Sequence, residues 1–311
     1  MYTFVYKCFF AIKRRQKRRQ NENKKTSKII QKTIDYMKWY YNILIPKLYK
    51  KYSLKNYGLN KKGRKQKIIV SLTSYPKRID TVWLTIETLL RQTVKPDEII
   101  LWLADTQFAG IDLLPAELLG LQERGLTIRF CSDLKSHKKY FYVMQEYPKD
   151  IVILADDDMF YPYDTIKQLM KMHKRYPNDI CTMTAQVMKP SFRSMPSEWR
   201  NPTYKEKFVH SDQIQIFTGS GSLYPPYCLG SEAFDKEKIM ECCPYADDLW
   251  LTFMAKHNNT KVTAKYPWRA FPITIYDTGK DSLWHINAEK GNNDKQWKAL
   301  LETYEKEGAE L

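Results

Sequence analysis

Between residues 67 and 155 the chain alternates four times between short apolar runs and segments of helical periodicity. The apolar runs cover residues 68–73, 98–103, 126–131 and 151–155. The segments between them place apolar side chains at a spacing near 3.6 residues or end at a helix-stopping Gly or Pro. Strands and helices in strict alternation need right-handed crossovers. The pattern therefore predicts an α/β fold, with a mostly parallel sheet covered by helices on both faces.

The positive charge of the chain is concentrated at one end. The 311 residues have a formal net charge of +16. The first 67 hold 21 Lys and Arg with only Glu22 and Asp35, whereas the remainder holds 30 basic and 33 acidic residues. A basic arm of this kind predicts attachment to a polyanionic surface, either acidic lipid head groups or nucleic acid. We therefore divide the chain into a basic, helical N-terminal extension (1–66) and one globular domain (67–311).

The aromatic stretch 2–12 is followed directly by six basic residues within 13–19. It is too short to cross a bilayer, which takes about 20 residues, and its charges do not precede the apolar run as they do in a secretory signal. An interfacial anchor has this pattern, with rings in the head-group layer and basic side chains on anionic lipid. We expect residues 1–30 to bind an anionic membrane surface in preference to nucleic acid. A disordered basic tail is the alternative.

The six cysteines include no C-x-x-C pair, so neither a zinc site nor a disulfide framework is expected. That usage fits a reducing compartment. Together with the basic arm it predicts a cytoplasmic protein, peripheral on the inner face of the plasma membrane.

Three consecutive carboxylates, Asp156, Asp157 and Asp158, directly follow the fourth apolar run. In extended chain, residues i and i+2 point the same way, so we expect Asp156 and Asp158 to face one ligand. Carboxylate oxygens favour Mg²⁺ or Mn²⁺, and an ion held by one or two of them keeps positions open for phosphate oxygens. Ligands of such sheets bind at this edge. The triplet predicts a metal–diphosphate site. The alternative is an acidic turn that caps the next helix.

Four segments, in order along the chain, resemble a bacterial glycosyltransferase of the GT-A fold, close to the family 2 group. They are Ile-Ile-Val-Ser-Leu-Thr-Ser-Tyr-Pro-Lys-Arg at 68–78, the acidic triplet, Gly-Ser-Gly-Ser-Leu-Tyr-Pro-Pro at 219–226 and Ala-Asp-Asp-Leu-Trp-Leu at 246–251. The resemblance extends over about residues 67–290. It implies a Rossmann-like sheet flanked by helices and the transfer of a sugar from a nucleotide donor.

The resemblance also implies roles for individual residues. Asp156 would lie close to the nucleotide ribose and Asp158 on the metal, and His285 would be a third metal ligand or a diphosphate contact. Asp248 would be the catalytic base, with Asp247 as the other candidate. Inverting transfer needs a carboxylate that takes a proton from the acceptor hydroxyl. An N-cap at the start of a helix is the competing interpretation of the Asp pair.

Other polar residues follow the first three predicted strands and are candidates for nucleotide recognition. Thr73 and Arg78 are placed to meet the base and phosphates, together with Asp157 of the triplet. Asp105 could accept a hydrogen bond from uracil, and Lys139 could pair with phosphate. Each could equally be a solvated loop residue.

The sequence therefore predicts a metal-dependent glycosyltransferase with Mn²⁺ or Mg²⁺ as cofactor. Its donor would be a nucleotide sugar, UDP-linked, and its acceptor a carbohydrate or lipid-linked glycan in surface polysaccharide or glycolipid synthesis. A nucleotidyltransferase acting on sugar phosphates is the nearest rival, but it needs a glycine-rich phosphate loop after the first strand, and residues 71–78 contain no glycine. A non-catalytic adaptor that uses the basic arm is the other alternative.

Overall fold

The structure, a computed structural model, describes residues 8–13, 24–51, 58–199, 204–267, 271–275 and 291–306. The helices of four or more residues that carry names below are α1 (Lys24–Lys51), α2 (Val82–Leu90), α3 (Ala116–Leu119), α4 (Lys138–Glu146), α5 (Thr165–Arg175), α6 (Lys236–Cys242), α7 (Asp247–His257) and α8 (Asn292–Lys306). The strands are β1 (Ile68–Thr73), β2 (Glu98–Ala104), β3 (Leu126–Cys131), β4 (Ile151–Leu154), β5 (Met159–Phe160), β6 (Ile180–Thr182), β7 (Ala185–Val187), β8 (Phe208–Ser211), β9 (Ile214–Ile216), β10 (Ser222–Tyr224), β11 (Val262–Lys265) and β12 (Ile273–Thr274).

Eight strands form the central sheet, in the order β3-β2-β1-β4-β10-β6-β11-β8. The first four are mutually parallel, and β6 and β11 run in the same direction. Only β10 and β8 are antiparallel to their neighbours. The expected α/β architecture with a mostly parallel sheet and a helical N-terminal extension is therefore confirmed.

The sheet is buried on both faces because its strands are apolar at consecutive positions. Val70 and Leu72 of β1 belong to a core cluster shared with α1, α2 and α5. Ile69, on the opposite face, belongs to a second cluster shared with α4, α7 and α8. Successive side chains of a strand point to opposite faces, so one short run supplies both cores.

The region between β6 and α7 differs from the long loop that its Pro, Ser, Gly and Tyr content suggests. Strands β7 and β9 pair with each other, and β10 enters the central sheet between β4 and β6. Leu223 and Ser222 of β10 are fully buried, which fixes this return of the chain. The segment just before β10 is thereby brought beside the end of β4, where the acidic triplet lies.

Helix α1 packs one face on the core. Ile34, Tyr41, Ile45 and Tyr49 are buried, and the Tyr41 ring meets the Phe160 ring edge-on at 5.0 Å. The helix contains Pro46 and continues for five more residues to Lys51. Burial of the next turn offsets the hydrogen bond that a proline removes. No helix in the described part of the chain is both long and apolar enough to span a membrane.

Two rings of the proposed interfacial anchor lie inside the protein. Residues 8–13 are helical, and Phe9 and Phe10 are 1% and 8% exposed. Both belong to the core cluster that includes the inner face of α1. The expectation that these two rings lie in a head-group layer is therefore wrong, because the protein itself covers them. Residues 1–7 and 14–23 of the anchor lie outside the described residues.

Candidate active site

A cavity of about 960 Å³ opens at the carboxyl ends of β1 to β4. Its described lining holds seven carboxylates and four basic side chains, an excess of negative charge that favours a cationic ligand. These residues are Asp133, Asp156, Asp157, Asp158, Asp247, Asp248, Asp294, Arg78, Lys135, Lys138 and Lys139. The two acidic clusters expected from the sequence, the acidic triplet (156–158) and the acidic pair (247–248), thus face one space.

The triplet does not alternate as an extended chain would. Residues 157 and 158 form a turn, and both contact the guanidinium of Arg78. Nη1 of Arg78 lies 2.6 Å from Oδ1 of Asp157 and 3.1 Å from Oδ2 of Asp158. The Ser74 hydroxyl donates to the other Asp157 oxygen at 2.5 Å. Both Asp157 oxygens therefore have donors, and this side chain fixes the turn that presents its two neighbours.

One oxygen of Asp158 has no hydrogen-bond partner among the described residues. The Asp158 side chain is 10% exposed, and Oδ1 is the buried oxygen that lacks a donor there. Burial raises the pKa of Asp158 to about 7, the charges of Asp157 and Asp156 add to the rise, and Arg78 opposes it. An unsatisfied buried carboxylate oxygen is costly in the absence of a ligand. This atom is the clearest sign in the triplet of a capacity to bind a cation.

The Asp156 carboxylate packs directly against the backbone of Gly219. A Cβ atom at Gly219 would lie 2.3 Å from Oδ2 of Asp156, so no larger residue fits without displacing the carboxylate. The phenol of Tyr161 connects the same two loops, accepting from the Asp156 backbone N–H at 2.8 Å and donating to the Gly219 carbonyl at 3.0 Å. The glycine of the Gly219–Ser222 segment therefore admits a side chain of the site.

Lys139, at the start of α4, joins the two acidic clusters. Its buried ammonium lies 2.6 Å from Oδ1 of Asp156, 2.8 Å from Oδ2 of Asp247 and 2.8 Å from Oγ1 of Thr218. An ammonium has three donors, and here all three have acceptors. Burial alone would lower the pKa of Lys139, but the carboxylates outweigh it and raise the pKa well above its usual value. The lysine is therefore a permanent cation between the clusters.

The acidic pair opens α7, and its two members have opposite pKa shifts. Burial opposes ionisation of Asp247, but the charge and hydrogen bond of Lys139, together with contributions from His137 and Ser136, outweigh it and lower the Asp247 pKa. No cation among the described residues contacts Asp248, so burial and the neighbouring Asp247 charge raise its pKa to about 7 although the Lys139 charge opposes the rise. Its side chain is half-buried and lines the cavity. Two adjacent aspartates thus differ in protonation because only one of them contacts the lysine.

Thr218 positions the pair and escaped the sequence reasoning, which began at the following glycine. Its backbone N–H donates to Oδ1 of Asp248 at 2.8 Å. Its hydroxyl lies 2.5 Å from the same oxygen and 3.1 Å from Oδ2 of Asp247. A hydroxyl has one proton, so it satisfies one carboxylate at a time. The signal in the sequence is weak, a lone Thr before Gly219.

The donor set fits a divalent ion only in part without substrate. No group of three or more His, Cys, Asp or Glu side chains within the described ranges is arranged to hold a metal ion. Asp156 is one-third exposed, and Asp158 has a buried oxygen that no described residue contacts by a hydrogen bond. Mg²⁺ and Mn²⁺ commonly take one or two carboxylates and complete their shell with water and phosphate oxygens. The residues therefore fit an ion that enters with a diphosphate.

The proposed nucleotide contacts are divided between the cavity and the surface. Thr73 and Arg78 line the cavity, and the Thr73 hydroxyl donates to the Trp102 carbonyl at 2.8 Å. Asp105 is exposed and is not part of the lining. Asp133 lines the cavity instead, and its Oδ1 lies 2.5 Å from Nζ of Lys138. Although burial opposes it, bonds from Lys138 and Lys135 lower the Asp133 pKa to about 2.

Some aromatic side chains near the cavity are buried and others are open to it. Trp199 and Trp250 are 3% and 0% exposed and belong to the core. Tyr245 and Phe271 line the cavity and are 41% and 40% exposed. His285, expected as a metal ligand or diphosphate contact, lies outside the described residues.

Comparison with known proteins finds likeness in structure only. No protein-family model matches the chain, and no curated protein is significantly similar to it in sequence. A mannosyltransferase from Pyrobaculum calidifontis, in complex with GDP-Man and Mn²⁺, is 14% identical over 47% of this chain and 44% of its own, with a TM-score of 0.32. Staphylococcus aureus TarS is 12% identical over 66% of this chain and 59% of its own, with a TM-score of 0.42.

A third similar structure is a CMP:2-keto-3-deoxy-manno-octonic acid synthetase in complex with CTP. It is 10% identical over 64% of this chain and 89% of its own, with a TM-score of 0.40. This chain covers less than two thirds of the mannosyltransferase and of TarS. The likeness is one of fold, and the chemistry of the cavity is inferred from its own residues.

Proposed function

We propose that this protein is a metal-dependent glycosyltransferase that moves a sugar from a nucleotide donor, UDP-linked, to a glycan acceptor. The observation that supports it most is the arrangement of two acidic clusters on one cavity, joined by the single ammonium of Lys139. Sugar transfer needs a site that stabilises a departing diphosphate and a site that accepts a proton. The two clusters have the properties that these tasks require.

The acidic triplet would serve the donor. Asp156 and Asp158 would hold Mn²⁺ or Mg²⁺, which when bound would neutralise the negative charge that grows on the departing nucleoside diphosphate. Arg78 and Ser74 hold Asp157 and so fix the turn between the two ligands. Thr73, Arg78 and Asp157 would border the nucleotide. Asp105 would have to reach it from the rim, and His285 would be a further contact.

The acidic pair would serve the acceptor. Asp248 would take the proton of the acceptor hydroxyl as its oxygen attacks the anomeric carbon. A base works best with a pKa near the working pH, and the Asp248 pKa is about 7. Asp247 would stay ionised beside Lys139, which orients it, and the Asp247 charge would keep the Asp248 pKa raised. One base on the acceptor side supports direct displacement with inversion at the anomeric carbon.

The setting of the reaction follows from the basic arm. Residues 1–30 would hold the enzyme on the cytoplasmic face of an anionic membrane. The acceptor would then be a carbohydrate or lipid-linked glycan of surface polysaccharide or glycolipid synthesis.

The proposal is tested by incubating the purified full-length protein with Mn²⁺ and a panel of sugar nucleotides, with and without glycan acceptors. We expect release of a nucleoside diphosphate from one donor, none from Asp158→Ala, and parent-like release from Asp112→Ala, which removes an exposed carboxylate outside the cavity lining. Release of pyrophosphate from a nucleoside triphosphate and a sugar phosphate would instead identify a nucleotidyltransferase. An NMR time course that showed a retained anomeric configuration would contradict inversion.

A further inference from the structure

Helix α1 has an outer face that no described residue covers. Ile29, Tyr36, Trp39, Tyr40 and Ile43 are exposed by 61%, 63%, 47%, 42% and 40%. Their spacing of three, four and seven residues places them on one side of the helix, opposite the side buried in the core. We call these five side chains the aromatic face.

The aromatic face is a cluster and not a scatter of single side chains. The Tyr36 ring lies 5.8 Å from the Trp39 ring and 6.4 Å from the Tyr40 ring, with which it is stacked. Of the eleven large apolar side chains exposed in the described residues, five belong to this one helix. Single exposed apolar residues need no explanation, whereas a contiguous patch marks a binding surface.

The charge around the aromatic face identifies the kind of partner. Helix α1 contains eight lysines and one carboxylate, Asp35, which accepts a hydrogen bond from Gln31 at 2.8 Å. Lys28, Lys32 and Lys47 are exposed. Protein interfaces are depleted in lysine, whereas Trp and Tyr flanked by basic residues are typical of the boundary between lipid head groups and acyl chains. The complementary surface is therefore an anionic membrane.

The position of α1 places such a contact next to the cavity. The Asn42 side-chain amide donates to the Thr274 carbonyl at 3.0 Å, and Thr274 lines the cavity. Strand β12, which contains Thr274, pairs with β5, and the Ile275 N–H donates to the Asp158 carbonyl at 2.8 Å. A membrane on the outer side of α1 would thus lie one helix away from the cavity wall.

We propose that the aromatic face of α1 binds the surface of an anionic membrane, with Tyr36, Trp39 and Tyr40 in the head-group layer and the flanking lysines on lipid phosphates. The surface is distinct from residues 2–12, whose Phe9 and Phe10 the protein covers. The inference does not depend on sugar transfer and stands if the reaction differs from the one proposed.

The test is co-sedimentation of the full-length protein with vesicles of phosphatidylcholine, with and without phosphatidylglycerol. We expect binding to the anionic vesicles that weakens with added salt. The triple variant Tyr36→Ser, Trp39→Ser, Tyr40→Ser should bind about tenfold more weakly or worse. Tyr227→Ser is the matched control, since Tyr227 is 72% exposed outside the aromatic face, and it should bind as the parent does. All variants should keep the parent melting temperature.

A second variant separates the aromatic face from the basic arm. The six Lys and Arg within 13–19 are replaced by Gln. Residual anionic-vesicle binding by this variant, abolished when the three Ser substitutions are added, would support the proposal. Parent-like binding by the triple Ser variant, with all binding lost in the arm variant, would overturn it. A third result would also overturn the proposal. It is a parent protein that binds no vesicles and that light scattering shows to be a dimer, with the dimer lost in the triple Ser variant.

Discussion

The acidic triplet and the acidic pair consist of the same residue type on the same cavity, yet their surroundings give them different chemistry. In the triplet, Arg78 contacts Asp157 and Asp158, and one buried Asp158 oxygen has no hydrogen-bond partner in the described part of the chain. In the pair, Thr218 holds Asp248 by its backbone and hydroxyl, and the Asp247 charge is matched by Lys139. The first arrangement suits a cation and the second a proton. The neighbouring donors, and not the carboxylates themselves, therefore determine the role of each cluster.

The largest effect should come from removing the base without removing its shape. Asp248→Asn keeps an oxygen that can accept from Thr218 but cannot take a proton. We expect transfer to fall about 10³-fold, because general base catalysis contributes on the order of 10²–10⁴. Binding of the metal–nucleotide complex should stay within about twofold, since the triplet is intact. Single-turnover kinetics and calorimetry measure the two quantities. A loss of nucleotide binding equal to the loss of rate would mean that the acidic pair also binds the donor, and the two clusters would not have separate roles.

Lys139→Met should damage both clusters at once. The substitution leaves Asp156 and Asp247 without their shared cation, so we expect a loss of stability of about 3–5 kcal/mol, as for other broken buried ion pairs. Activity in the surviving folded protein should fall about 100-fold, because the Asp247 pKa rises and the base is misplaced.

The control for that variant is Lys135→Met, which removes a partly exposed lysine of the same cavity that contacts Asp133 instead. Denaturant unfolding and steady-state kinetics should show little change. Equal losses of stability and activity in the two variants would mean that any lysine charge in the cavity has this effect, and that the contact of Lys139 with both acidic clusters is not required.

Gly219→Ala should disturb the triplet alone. The added methyl group collides with the Asp156 carboxylate at 2.3 Å, whereas a Cβ at Gly63 meets nothing within 4 Å. We expect Gly219→Ala to bind the metal–nucleotide complex roughly tenfold more weakly, which is a typical effect of disturbing a metal ligand or the residue that supports it. Gly63→Ala should bind the complex as tightly as the parent does. Calorimetry at fixed Mn²⁺ measures the difference. Unchanged binding by Gly219→Ala would remove Asp156 from the donor site.

The smallest effect is on stability. Asp248→Asn should lower activity but raise the free energy of unfolding. The folded-state pKa of Asp248 is about 7, above its usual value. The folded protein therefore keeps a proton that the unfolded chain has lost, and this contribution to stability is present at low pH and disappears as the pH rises through 7. Without metal or nucleotide, Asp248→Asn should raise the free energy of unfolding at pH 8 by roughly 2 kcal/mol, or Tm by about 5 °C.

At pH 5 the same substitution should raise Tm less than at pH 8, because Asp248 is protonated in the folded protein there and only the unfolded chain has ionised. Asp112→Asn, at an exposed position, serves as the control and should leave Tm unchanged at both pH values. A lower Tm for Asp248→Asn at pH 8 would show that the folded protein stabilises the ionised Asp248 carboxylate. That result would contradict the raised pKa on which the role of Asp248 as a base depends.

The sequence predicted what depends on local pattern. Apolar runs gave β1 and β3 with correct ends, and the two acidic clusters were recognised by their place after a strand and before a helix. It did not predict contacts between distant segments. The turn at 157–158, the bridge through Lys139 and the role of Thr218 depend on β10 entering the sheet beside β4, which no short-range signal encodes. For the same reason the apolar residues of α1 could not be divided into an inner and an outer face.

The most direct test is a calorimetric titration of UDP into the parent, Asp158→Asn and Asp248→Asn proteins, each with and without Mn²⁺. We predict metal-dependent binding by the parent and by Asp248→Asn, and none by Asp158→Asn. Binding of UDP by Asp158→Asn as tight as by the parent, or binding by the parent that ignores Mn²⁺, would contradict the assignment of the acidic triplet to the cation and diphosphate.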